Sequence, residues 1–230
     1  MKDDVESLKK AAAYNAVDLV QSDMVVGLGH GSTAIHAIRR IADLIKDGKL
    51  NNIRGVPCSK QVEDTALKLG IPITSLDEHV SIDLTIDGAD EVDPGLNLIK
   101  GGGGALLREK IVAQASSREI IVVDESKISP ALGTKVPVPV EIIPFGWQLQ
   151  KEFLEGLGAM VEVRKSPDGS LFKTDQGNLI LDCDFGPIKN PSWLAARLCG
   201  PAGIVEHGLF INLATDVIVA GTGGLRHLKK

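Results

Sequence analysis

Apolar residues recur along this chain with two alternating periods. Between residues 4 and 20, Val5, Leu8, Ala12, Val17 and Val20 stand three to five positions apart, the spacing of one helix face. Ser22 and Asp23 break that stretch, and Met24 to Leu28 then runs as a short apolar strand. From Ser32 to Lys46 the helical period returns through Ile35, Ile38, Ile41, Ala42 and Ile45, and Ile53 to Pro57 reads as a second buried strand. Lys60 to Leu69 is expected to be helical and to stop at Gly70, a residue that readily takes the left-handed backbone closing a helix. The runs Ile71 to Thr74, Ile82 to Ile86 and Glu119 to Val123 are rich in β-branched residues and lack alternation, as strands covered on both faces do.

This alternation of strand and helix through residue 127 predicts an α/β fold with a doubly wound, mostly parallel, Rossmann-like sheet. Such a sheet binds ligands beyond the carboxyl ends of its strands. GLGHGST follows the first strand, PCSK the second, DGAD the strand ending near Ile86, and DESK the strand ending near Val123. Parallel pairing would bring all four segments to one edge.

From about Pro137 the pattern changes. A strand (Val138 to Ile142), a helix (Trp147 to Leu157) and a strand (Ala159 to Arg164) precede a turn at SPDGS. Then come a strand (Leu179 to Cys183), a helix (Ser192 to Leu198) and a strand (Ile204 to Leu209). The order βαββαβ is that of a ferredoxin-like small domain. DVIVA, Asp216 to Ala220, is expected to rejoin the main sheet. The expected organisation is therefore a Rossmann-like catalytic domain of residues 1–134 plus 210–230, with residues 135–209 inserted as the small domain.

Composition narrows the function classes. An apolar share of 43% with 24% charged residues describes a globular chain, and no apolar run approaches the roughly 18 residues that span a bilayer. A net charge of -5 and an aromatic share of 3% argue against nucleic acid as a partner. An anionic ligand would need locally placed lysines. The N-terminal MKDDVESLKK mixes acids and lysines where a signal or transit peptide would not, which points to a cytoplasmic protein, or an organelle-soluble one whose leader has been removed. Cys58, Cys183 and Cys199 are too scattered for a disulfide framework or a zinc site and read as reduced core residues. The five histidines show no ligand spacing; His36 reads as packed on its helix, and only His30 falls inside a candidate loop.

Three segments carry chemistry. GLGHGST, Gly27 to Thr33, joins a strand to a helix whose N–H groups and positive dipole end suit a phosphate, although Ser32 or Thr33 could equally serve as a helix cap. It fails as a dinucleotide fingerprint, because Ser32 stands where the third glycine belongs. DGADEVD puts Asp87 at a strand end and Asp90 three residues on. It reads as two carboxylates facing a pocket, as a calcium or magnesium site, or as an acidic turn capped by its own side chains. Lys100 and the four glycines Gly101 to Gly104 precede ALLREKIVAQA. Four glycines suit positive φ or close approach to a ligand, Glu109 falls early in the helix where the dipole favours its ionised form, and Lys100 supplies a cation. The alternative makes Glu109 a surface partner of Arg108 and Lys110. DESK adds Lys127 at the same edge, as a second cation or a cap.

With the final strand and its GTGG, these motifs, GSTA, DGADE, KGGGGALLREK and DESK in this order, resemble the type A ribose-5-phosphate isomerase family over essentially the whole chain. The resemblance implies interconversion of D-ribose 5-phosphate and D-ribulose 5-phosphate without metal or coenzyme, in the non-oxidative pentose phosphate pathway and in photosynthetic carbon fixation. It places the proton acceptor at Glu109, acting through a cis-enediol, with Lys100 stabilising the enediolate and Asp87 and Asp90 holding sugar hydroxyls and assisting ring opening. It places substrate contacts at His30, Gly31, Ser32 and Thr33, at Asp87, Gly88, Ala89 and Asp90, at Lys100, Gly101, Gly102 and Gly103, and at Lys127. It also implies a homodimer or homotetramer. One departure is visible: the family's loop commonly reads TGST, and His30 stands in place of the first threonine. The rival readings are a non-catalytic sugar-phosphate sensor, an amino-sugar phosphate isomerase/deaminase, and a CoA transferase of the same superfamily.

Overall fold

The computed structural model describes residues 2–230, with side chains described from Val5 onward. The chain divides into two compact units. The first holds the residues up to Ala89, Arg108–Lys127 and Asn212–Lys230; the second holds Asp90–Leu107 and Ile128–Ile211. The stretch around the glycine run thus belongs to the second unit, and the helix that follows crosses from one unit to the other.

In the first unit α1 (Lys2–Val17), β1 (Val25–Leu28), α2 (Ala34–Lys46), β2 (Arg54–Pro57), α3 (Lys60–Lys68) and β3 (Leu84–Asp87) follow in order. β4 (Glu91–Val92) and β5 (Leu98–Ile99) belong to the second unit, after which α4 (Leu106–Gln114) leads back to β6 (Glu119–Asp124). Later in the chain come β7 (Val138–Ile142), α5 (Trp147–Gly156), β8 (Met160–Val163), β9 (Leu179–Asp184), α6 (Pro191–Leu198), β10 (Ile204–His207) and β11 (Leu209–Phe210). The last strands, β12 (Asp216–Gly221) and β13 (Gly224–Lys229), return to the first unit.

The first unit is built on a six-stranded sheet of order β13-β12-β6-β3-β1-β2. Its pairs are parallel except for the β12–β13 hairpin. Every residue of β3, β6 and β12 is buried, which is why these strands show no alternation. Ala12, Ala13, Ala16, Ile38, Ile41 and Val112 complete the core around them. The expected strand at Ile71 to Thr74 is reduced to a single parallel bridge, Gly55 to Ile73. Pro72 explains this: its carbonyl accepts from Gly55 N–H, but it has no N–H to extend the ladder. β13 escaped prediction because it is an exposed edge strand with no buried face to impose a period.

The second unit contains the four-stranded antiparallel sheet β10-β7-β9-β8 with α5 and α6, the βαββαβ arrangement expected. Its core gathers Val138, Val140, Leu154, Leu181, Leu194 and Leu198. A three-stranded sheet, β11-β5-β4, accompanies it. The expected strand from Ile204 to Leu209 is broken at Gly208, which gives its N–H to Pro139 O at 2.7 Å and accepts Lys100 N–H at 2.9 Å. The chain therefore leaves one sheet at His207 and enters the other at Leu209.

Candidate active site

At the carboxyl edge of the first unit's sheet, the loops after β1, β2 and β3 are tied together by their own backbone. Gly29 N–H donates to Ile86 O and Cys58 N–H to Leu28 O. Asp87 is 1% exposed at the tip of β3, and its Oδ1 accepts His30 N–H at 2.9 Å and Gly88 N–H at 2.7 Å. Those two bonds orient the carboxylate in advance. Glycine is required at position 29, where a Cβ would lie 2.4 Å from the Asp87 Cα.

The helix α2 starts beside this carboxylate. Thr33 occupies the N-cap position without making a side-chain cap, and Ser32 Oγ instead accepts Lys9 Nζ at 3.0 Å. Neither hydroxyl is spent on the helix, so the capping alternative for this loop is set aside. Lys9, on α1, was not singled out in the sequence, and it sets a cation beside the N-terminus of α2. His30 Nδ1 lies 3.0 Å from Ser59 Oγ, and Ser59 Oγ also accepts Val62 N–H to cap α3. A cavity of about 330 Å³ opens here, lined by Gly29, His30, Gly31, Ser32, Gln61 and Thr65 among others. Lys127 ends a short 3-10 turn at the carboxyl end of β6 and is partly exposed.

Glu109 lies in the first turn of α4 and is 5% exposed, so it is not the surface residue of the alternative reading. Its carboxylate, that of Asp87 and the Cys58 sulfur each lie within 4.8 Å of the other two. Among the described residues this is the group able to hold a metal ion. Cys58 is fully buried, as expected of a core cysteine, but its position beside two carboxylates was not legible in the sequence.

The second unit arranges the glycine run. Lys100 is 2% exposed, with Nζ 5.6 Å from the centroid of the Phe210 ring. Gly101 has φ of +99°, and Gly104 N–H donates back to Gly101 O at 2.9 Å, closing a turn. Asp90 Oδ2 accepts Gly102 N–H at 2.8 Å. Arg164 Nη1 donates to Gly101 O at 2.8 Å and Gly102 O at 3.1 Å, while its other nitrogens pair with Asp182. Asp90 and Arg164 thus hold the loop from its N–H and carbonyl sides. Gly103 is exposed between these fixed points. Nothing local in the sequence marks Arg164, just past the end of β8, or its partner Asp182 on β9, both far in sequence from the loop that Arg164 holds.

The acidic motif divides its labour by residue. Glu91, fully buried, accepts Gly133, Thr134 and Lys135 N–H groups and pins that loop. Asp93 accepts Gly95 and Asn97 N–H groups, so the capped-turn reading holds for this residue. Asp87, Gly88 and Ala89 stay with the first unit and Asp90 with the second.

Known proteins share this arrangement of sequence and fold. Residues 54–224 match the family model described as ribose 5-phosphate isomerase A (phosphoriboisomerase A). The ribose-5-phosphate isomerase A of Chloroflexus aurantiacus is 58% identical over 223 residues, covering 97% of this chain and 93% of that protein. A D-ribose-5-phosphate isomerase solved in complex with phospho-erythronic acid superposes with a TM-score of 0.96 at 41% identity, over 98% of this chain and 99% of that one. The ribose 5-phosphate isomerase of Plasmodium falciparum superposes with a TM-score of 0.95 at 44% identity, over 98% and 99% of the two chains. On the full-length match, the motif order and the buried Glu109, the chain belongs to the ribose 5-phosphate isomerase A family.

Proposed function

We propose that this protein interconverts D-ribose 5-phosphate and D-ribulose 5-phosphate by proton transfer through a cis-enediol, with no coenzyme. The observation that carries the reading is the buried Glu109 carboxylate beside the pre-oriented Asp87, on the sheet edge that also carries the Lys9–Ser32 anion cradle. Isomerisation only moves hydrogen. A base removes the proton from C2 of the open-chain aldose and returns it to C1, while the hydroxyl proton on O2 is exchanged for one on O1. Glu109 is that base, since a carboxylate can both take and return the proton. Lys100 supplies the cation for the enediolate oxygen, and Asp87 accepts sugar hydroxyls and assists ring opening.

Phosphate falls to Gly31, Ser32 and Thr33 with Lys9, and Lys127 contributes a further cation. His30 offers its ring where the family commonly has a threonine hydroxyl. Asp90 joins Asp87 in holding sugar hydroxyls, and Gly88, Ala89, Gly101, Gly102 and Gly103 complete the proposed substrate contacts. The ligand of the solved relative fits this chemistry, because phospho-erythronic acid couples a phosphate to a planar carboxylate that resembles an enediolate. Relatives named as isomerases along the whole chain favour this reading over a sensor or a CoA transferase.

The test is a coupled assay of purified protein with ribose 5-phosphate, following ketose formation with no added cofactor. Turnover is expected to persist in excess EDTA. Absence of ketose, or activity lost to EDTA and restored by a divalent ion, would overturn the proposed mechanism.

The protein is further proposed to act in the cytoplasm as a homodimer or homotetramer. No helix among the described residues is long and apolar enough to cross a membrane. Phe145 (88% exposed) and Leu149 (67%) offer apolar surface to a second copy. Sedimentation equilibrium should return a mass of two or four chains, and a monomer at assay concentrations would remove that part of the proposal.

A further inference from the structure

We propose that Cys58, Asp87 and Glu109 form a binding site for thiophilic divalent cations of the zinc and cadmium class, and that an ion bound there switches the enzyme off. The three ligand atoms lie within 4.8 Å of one another, and all three side chains are buried. They arrive from separate elements: the turn after β2, the tip of β3 and the first turn of α4. The sheet edge and the helix therefore fix their spacing, and Asp87 is held in orientation by the His30 and Gly88 N–H groups.

The donor set selects the ion. Calcium takes six to eight oxygens and magnesium a near-octahedral set of oxygens, which one sulfur and two carboxylates cannot provide. Zinc-like ions take four ligands, with bonds of about 2.3 Å to sulfur and about 2.0–2.2 Å to oxygen. Those bond lengths put tetrahedral ligands about 3.3–3.7 Å apart, so side-chain rotation by roughly an ångström closes the trio and leaves a fourth position open. As the ion binds, the Cys58 thiol loses its proton to solvent and binds as the thiolate, so affinity rises with pH.

Inhibition rests on the proposed role of Glu109, because a carboxylate bound to an ion cannot take a substrate proton. Binding itself does not depend on that role. Cys58 is the ligand that makes the site thiophilic; a hydroxyl there would leave a weak all-oxygen set.

The experiment titrates the full-length, chelator-free protein with cadmium, following thiolate-to-cadmium ultraviolet absorption and ribose 5-phosphate turnover in parallel. One ion per chain is expected, with a shared midpoint for the absorption and the loss of activity, and a weaker midpoint when ribose 5-phosphate is present. Cys58→Ser should lose the absorption and raise the inhibitory concentration at least about tenfold relative to its own activity. Cys199→Ser should behave as the parent, since that exposed thiol is the competing source of absorption. Absorption that survives in Cys58→Ser or vanishes in Cys199→Ser overturns the site, as does an unchanged inhibition midpoint in Cys58→Ser. Should Cys58→Ser fail to fold, cadmium NMR of the parent decides. A resonance from one sulfur with oxygens supports the trio, and an all-oxygen resonance overturns it. If the parent shows cadmium absorption but no isomerase activity, the functional reading falls and the metal site stands.

Discussion

Glu109→Gln is expected to keep substrate binding and lose most turnover, with kcat lower by about 10²–10⁴-fold and KM little changed. Glutamine fills the same volume and keeps one oxygen acceptor, but it cannot take a proton from carbon. A loss confined to kcat would mean that the side chain acts in the transition state, whereas a rise in KM alone would mean uniform binding. Steady-state assays with ribose 5-phosphate, together with a binding measurement on the variant, separate the two. A near-normal kcat would remove Glu109 from the centre of the mechanism. The expected size follows from its burial beside Asp87, where little water can substitute for the missing base.

The largest expected effect on stability lies away from the site, at Asp216. This carboxylate opens β12, and its side chain is 4% exposed. It accepts Arg118 Nη2 on Oδ1 and Arg118 Nε on Oδ2, both at 2.8 Å, and the Thr215 hydroxyl on Oδ2. His227 Nε2 lies 2.7 Å from Oδ1. The Arg118 hydrogen bonds first, then those from Thr215 and His227, outweigh the cost of burial and hold its pKa well below the usual carboxylate range.

Asp216→Asn removes the charge and leaves Arg118 facing a neutral amide. Breaking a buried pair costs about 3–5 kcal/mol; Arg118 is one-third exposed, so the lower end, about 3 kcal/mol, is expected. At this chain length that lowers Tm by about 6–12 °C. Because the folded pKa is depressed, the stabilisation is fully present above the unfolded pKa of about 3.8 and is lost as pH falls toward the folded value. The gap between parent and variant should therefore be constant near neutrality and narrow in acid. Thermal or urea melts across that range check it, and a difference under about 1 kcal/mol at pH 7 would mean that the pair contributes little.

The fold was legible wherever burial imposes a period. β6 and β12 are buried along their whole length, and their unbroken apolar runs announced a parallel sheet before any pairing was known. The two-residue strands β4, β5 and β11 were not, because two residues carry no period, and β11 pairs with β5 from more than a hundred positions away. In the site, Gly101 to Gly104 and Glu109 stood out because glycine runs are costly unless backbone geometry needs them. Lys9 and Arg164 did not, since a lysine on a helix and an arginine just past a strand are ordinary until their partners are seen.

The sequence by itself determined the class of fold, the order of its longer helices and buried strands and the residue types available for proton transfer, because hydrophobic period and glycine placement are local properties of the chain. Only the tertiary structure decided which of those residues meet. It made Asp93 a turn cap and Asp87 an oriented buried carboxylate, freed Thr33 from capping, brought Lys9 to Ser32, and set Cys58 beside Glu109. Those outcomes depend on strand register and helix placement, which are fixed by packing among residues distant in sequence.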